Sequence, residues 1–469
     1  MTKQTIKYNS NNKYFAGFLQ SIIDESNINA SVSQNENEII LLVDENDPNI
    51  ETFNENITKR LPHSIFIGEI ETSTSDEKIQ KSNFKSESYN IAPCAKCLYM
   101  LNDPSSSYYL DESLKCDHYN NEIDKIYDDN TIFSPHYSKG CAVLITDASK
   151  INDLFIVTKD ELKALFSIEK PTIKVTIKDE TLKELTGKNH INIKAPYNNR
   201  SALVAINAKE SNVDYLFFED NNDLKAVIVK QNITIIRANR VTTPLKELDT
   251  DKQINRFLNI ANEANFTKNA IGVNLSRNDI SFIVSNEIGA KKVIQFQEFK
   301  LADLFYGIYN DTIKNKLLFN FYAKYPHIED KLSSVTKMNL FELICLILDI
   351  EKENSAFEAL SNKSFEFRGN GGLKIDTHYN SQGFDYVSFI GSIISFRLAG
   401  AEIHYIAYSI FEAFGDMAIS TLNQLKEKFK IDNIIMMGDI FENSILYSRI
   451  LSKYQLSNPY FAKAIALDE

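Results

Sequence analysis

The chain has 469 residues, a length that suits about three domains, with the hydrophobic (43%) and charged (24%) content of an ordinary folded protein. A net charge of −12 repels phosphate backbones and argues against nucleic acid as a main partner. No apolar run approaches the roughly 20 residues of a membrane span; 340 to 350 is broken by Glu342 and Asp349, and the start has no apolar signal core, so a cytoplasmic location is expected.

In chain order, a small α/β unit comes first. A helix is expected over Tyr14 to Ile23, a buried strand over Glu38 to Val43, a polar helix over Ile50 to Leu61 and a strand over Ser64 to Glu71. Thr72 to Asn90, rich in Ser, Lys and Glu, reads as a linker. Residues 91 to 130 have little apolar periodicity and need a staple. Strands follow at Ala142 to Thr146, Thr172 to Ile177, Ile191 to Lys194, Tyr215 to Phe218 and Lys225 to Ile236, with a helix over Lys159 to Phe166 capped by Thr158. The rest is mostly helical: Asp251 to Ala264, Lys314 to Tyr325, Leu340 to Ile350 and Glu402 to Phe429. A buried strand, Asn433 to Met437, then leads into Gly438 and another helix.

Three of the five cysteines, Cys94, Cys97 and Cys116, crowd into 23 residues. Five cysteines in so long a chain are no disulfide framework, and a CxxC turn followed by a third thiol points to tetrahedral zinc. Only 15 residues are glycine, about half the usual share. That leaves few places where backbone N–H groups can approach a phosphate. Gly369 to Gly372, the richest spot, reads as a loop.

The spacing Cys94-x2-Cys97-x18-Cys116, with Leu98 and Asn102-Asp103-Pro104 between, resembles the first zinc finger of HypF, the carbamoyltransferase of nickel–iron hydrogenase maturation. Further blocks resemble that family in the same order. They are Ala142 to Asp147, Phe166 to Pro171, Ile193 to Tyr197 and Arg237 to Arg240 for its YrdC-type domain. Ala270 to Leu275, Ser333-Ser334 and Ile434 to Leu446, with Gly438, Phe441 and Asn443, follow for its transfer domain. The resemblance implies a multidomain α/β protein. Residues 1–80 would be acylphosphatase-like, 86–130 zinc-finger-like, 131–250 a shortened YrdC-like domain, and 265–469 a truncated actin/sugar-kinase-like carbamoyltransferase domain. The fourth zinc ligand should fall at Tyr119; His118 beside it is the expected substitute, and His136 is an alternative.

The family's reactive groups are largely missing. The first arginine is Arg60, beyond the helix that should carry the acylphosphatase arginine; no two histidines stand four apart; and the family's terminal Asn-Asp-Gly-Gly aligns with Phe461 to Ala464. The expected function is therefore an accessory role, with structural zinc, no catalytic residues and no nucleotide. The partners implied are the hydrogenase large subunit or other maturation proteins. The alternative is an active carbamoyl- or adenylyl-transferase with a rewired site. Arg237 and Arg240 would hold an anion or form a surface pair. His63, His190, His327, His378 and His404 read as structural or surface residues, and Cys345 as packing. Glu412 and Asp416 read as a solvated helix face, and Asp439 and Glu442 as helix-start carboxylates.

Overall fold

The computed structural model describes residues 1–35, 37–79, 92–116, 131–220, 224–237, 241–266, 268–352, 354–380, 383–454 and 459–468. Several sheets follow one another along the chain. The first unit runs strand, helix, two strands, helix, strand: Thr2–Tyr8, Tyr14–Ser26, Ala30–Asn35, Glu38–Val43, Ile50–Arg60 and Ile67–Thr74. Its four strands are antiparallel in the order second, third, first, fourth. Tyr14, Phe15, Phe18, Leu19, Ile22 and Ile23 form one face of the first helix and are all buried, the 3.6-residue stripe that fastens a helix to a sheet. Asn27 ends it in the left-handed conformation. The inner strand Thr2–Tyr8 and the outer strand Ala30–Asn35 escape a reading by pattern because polar residues dominate both.

The middle sheet has six short strands. Its central strand, Ala142–Ile145, is buried on both faces: Val143 and Ile145 enter one core, Ala142 and Leu144 another. It runs parallel to His190–Lys194 and antiparallel to Tyr215–Phe218. Thr158 caps the helix Lys159–Leu165 in a reciprocal capping box with Glu161. The single strand expected over Lys225 to Ile236 is instead a hairpin, Lys225–Val229 and Asn232–Arg237, because Lys230 turns the chain at φ +56°.

The last sheet begins with an antiparallel meander, Ala270–Leu275, Ile280–Asn286 and Gly289–Gln295. Among the described residues, seven helices then intervene before Ile434–Met437 and Tyr460–Phe461 return parallel to the first strand. The order is third, second, first, fourth, fifth. Gly438 is required here. Its φ is +110°, and a Cβ would stand 2.3 Å from the Leu275 carbonyl oxygen, so the fourth strand passes the end of the first only without a side chain. One expectation fails in the long helix Ile403–Phe429: Glu412 is buried, not solvated. No helix among the described residues is long and apolar enough to cross a membrane.

Candidate metal centre and charge cluster

Cys94 precedes the helix Ala95–Asn102 as its N-cap residue and Cys97 lies in its first turn, so one turn of backbone aims both thiols the same way. The chain returns to Cys116 through two turns in which Asp103 and Asp111 accept N–H bonds from Ser105 and Ser113. Asn199, at the start of helix Asn199–Glu210, fixes this return by donating to the carbonyls of Glu112 (2.9 Å) and Leu114 (2.8 Å). All three cysteines are buried, with their sulfurs within 4.8 Å of one another. Zinc–sulfur bonds of about 2.3 Å set sulfurs about 3.8 Å apart in a tetrahedron, so the donor set fits that ion with little adjustment. The thiols of Cys116 and Cys97 hold the Cys94 thiol down to about 3, while Cys116 and Cys94 push Cys97 up. A thiolate is thus the favoured form at Cys94, and a thiolate is the ligand a metal needs. His118 and Tyr119 lie outside the described residues; His136 is exposed and is not part of the cluster.

A second constellation lies where the last sheet meets the hairpin. The turn after Leu275 projects Arg277, whose Nε is 2.9 Å from Asp439 Oδ2 and whose terminal nitrogen donates to Glu442 at 2.6 Å. Its backbone N–H also donates to Asp439 (2.9 Å), and its guanidinium stacks 3.9 Å over the Phe357 ring. Lys225 donates to the other oxygen of Glu442 at 2.5 Å. Burial pushes both carboxyls up, but Glu442 has Lys225, Lys174 and Arg277 against it and falls well below the usual carboxylate range. Asp439 has Arg277 alone, with Asp468 and Glu442 opposing, and rises to about 6.

Two more buried carboxylates fill donor-rich hollows. Glu169 reaches into the first unit beside the start of its helix and accepts from Tyr14 Oη (2.8 Å), Ser64 Oγ (2.5 Å) and the Ile65 N–H (2.9 Å). Burial outweighs these bonds and raises its pKa. Glu263 accepts from the backbone N–H groups of Lys463, Ala464 and Ile465 and from Tyr460 Oη. Glu412, expected on a solvated face, accepts from the Gly372 N–H and pairs with Arg449, which also grips Asp416 through two 2.8 Å bonds.

A cavity of about 470 Å³ opens beside Arg277, bordered by Asn278, Asp279, Gln297, Glu298, Lys337 and Tyr386 among others. Of the remaining sequence candidates, Arg237 makes a backbone bridge to Asp468, and Arg240 lies outside the described residues. His190 is buried with no hydrogen-bond partner at Nδ1. Cys345 is buried, its Sγ 3.1 Å from the Ala356 carbonyl, consistent with packing. Arg277, Lys225, Glu169 and Glu263 carry no motif spacing, and their partners lie far away in sequence.

This geometry defines a multidomain mixed α/β protein with several sheets and, among the described residues, one candidate metal centre. Its fold is that of HypF. The crystal structure of full-length HypF in a phosphate- and nucleotide-bound form aligns with 100% of this chain and 96% of its own at TM-score 0.60 and 13% identity. That of T. kodakarensis HypF aligns over the same shares at TM-score 0.60 and 12% identity. In sequence the chain is similar to Protein HydE of Wolinella succinogenes, 22% identical over 342 residues that cover 65% of this chain and 62% of that protein, less than two thirds of its length. No family model matches the chain. The resemblance to HypF-like hydrogenase maturation proteins drawn from the sequence therefore holds.

Proposed function

We propose that the chain is an accessory protein of nickel–iron hydrogenase maturation that works by binding partners, not by turnover. The observation that carries this reading is that clusters of donors at strand and helix ends are filled by the chain's own carboxylates. Glu169 takes the hydroxyl and N–H donors beside the first helix, and Glu263 takes the N–H groups of 463 to 465. Glu442 and Asp439 neutralise Arg277 and Lys225 beside Gly438. An anionic substrate would have to displace a paired, buried carboxylate at each place, which costs several kcal/mol. The strand orders support acylphosphatase-like (1–80), YrdC-like (131–250) and truncated actin/sugar-kinase-like (265–469) domains, and the cysteine cluster supports a zinc-finger-like segment over 86–130. The three cysteines would hold structural zinc, with His118 as the proposed fourth ligand. Zinc there supplies cross-linking rather than Lewis acidity, and the chain's own part is to hold the sulfurs buried and partly ionised.

The rival reading, an active carbamoyl- or adenylyl-transferase, draws support from the cavity beside Arg277, which has room for a small polar molecule. Deleting the gene in its native host and restoring it separates the accessory role from an unrelated one. Loss of hydrogenase activity, recovered by the wild-type gene and by variants at the cavity-lining Lys337, is the expected result. Unchanged hydrogenase activity in the deletion strain overturns the proposal.

A further inference from the structure

Helices Leu301–Asn310 and Thr312–Lys324 follow one another on the outer side of the last domain. Their inner residues Leu304, Ile308, Leu318 and Phe321 are buried in its core. Their outer residues are not the polar set such a surface usually carries. Tyr306 is 75% exposed, Tyr309 57%, Ile313 81% and Phe319 71%. Tyr306 and Tyr309 are one helical turn apart, as are Phe319 and Tyr322, and the two helices pack against each other, which sets these residues side by side. Large apolar groups collected on one face mark an interaction site. With aromatic side chains of about 150–250 Å² each, the three rings, with Ile313 beside them, supply several hundred Å², roughly the apolar centre of a standard interface.

Charge selects the occupant. Residues 300 to 324 carry Lys300, Lys314, Lys316 and Lys324 against Asp303 and Asp311, a balance of +2 in a chain of net −12. A membrane with anionic headgroups would meet the repulsion of the rest of the molecule. A two-fold dimer through this face would set the lysines against their own copies. We infer that the helix pair docks a different protein, one that presents apolar side chains rimmed by aspartate or glutamate. The aromatic groups enter its apolar centre, and Lys316 and Lys324, both exposed, meet its carboxylates. This inference rests on the reading that the chain acts by contact, and it names the contact surface.

The test is carbodiimide cross-linking, which joins lysine amines directly to carboxylates, in native-host extracts holding the tagged full chain. Linked peptides are then identified by mass spectrometry. The expected result is links from Lys316 and Lys324 to acidic residues of another polypeptide, reduced at least about tenfold in the Tyr306→Glu/Phe319→Glu variant. That variant should keep the wild-type melting temperature, since both side chains face solvent. Links only between copies of this chain, no links at these lysines, or links that survive the double substitution would overturn the inference. So would co-sedimentation with phosphatidylglycerol vesicles that the double substitution abolishes. If hydrogenase polypeptides link only at other lysines, the surface fails and the accessory role stands. If an acidic protein unrelated to hydrogenase links at Lys316, the surface stands and the accessory role fails.

Discussion

The cysteine cluster and the Arg277 cluster are built in opposite ways. In the first, three soft donors of one kind converge, and neighbouring thiols force one of them to ionise. Such a set gains most from a cation added from outside. In the second, two cations and two carboxylates from the hairpin, the first turn of the last sheet and the segment after Gly438 already match one another. Nothing from outside improves that arrangement without first breaking it. The contrast separates a donor set that could take a metal ion from a charge cluster whose members already satisfy one another.

The largest expected effect lies in the cysteines. Structural zinc contributes on the order of 10 kcal/mol in isolated fingers. Cys97→Ser should abolish stoichiometric zinc, read by mass spectrometry of the metal, and lower the melting temperature by well over ten degrees. An unchanged melt in excess chelator would place the cluster in the same self-sufficient class as the Arg277 site. Next comes Glu442→Ala, which strands Lys225 in a buried site and leaves Arg277 with Asp439 alone. A loss of about 3–5 kcal/mol in urea unfolding is expected. Replacing the pair Lys225 and Glu442 by Met and Leu should recover most of it, because matched apolar groups leave no charge behind.

Asp439 sharpens the comparison through pH. Its folded pKa of about 6 stands above the unfolded value, so the folded state keeps its proton longer. Its contribution is fully present below about pH 4 and is lost as pH rises to about 6, a change of about 3 kcal/mol. Asp439→Asn should flatten the stability profile in that window and leave it unaltered above pH 7. Arg449 gives the smallest effect. It is partly exposed, and Arg449→Ala is expected to cost about 1 kcal/mol, mostly through Glu412, the more buried of its partners.

The sequence made local devices legible. The CxxC turn, the Thr158 cap and the helix stripe from Tyr14 each occupy a few adjacent positions, where spacing alone fixes geometry. The filled hollows are written in no local pattern. Glu169 meets Ser64 across 105 positions, Lys225 meets Glu442 across 217, and Glu263 meets Lys463 across 200. Glu412 departs from the expected solvated face for a related reason. Helical periodicity separates one face from another, but it does not say that Arg449 and the Gly372 N–H come to cover that face. Thr2–Tyr8 was unreadable because its neighbours Glu38–Val43 and Ile67–Thr74, not its own alternation, hold it in the sheet.

The central claim is that the chain's own carboxylates have taken the places an anionic substrate would occupy. Isothermal titration of the zinc-loaded full chain with ATP and with carbamoyl phosphate tests it most directly. The account predicts no saturable heat with either compound at millimolar concentration. Saturable binding with a Kd on the order of 10 µM or tighter, weakened by substitutions at Asn278 or Lys337, would contradict it.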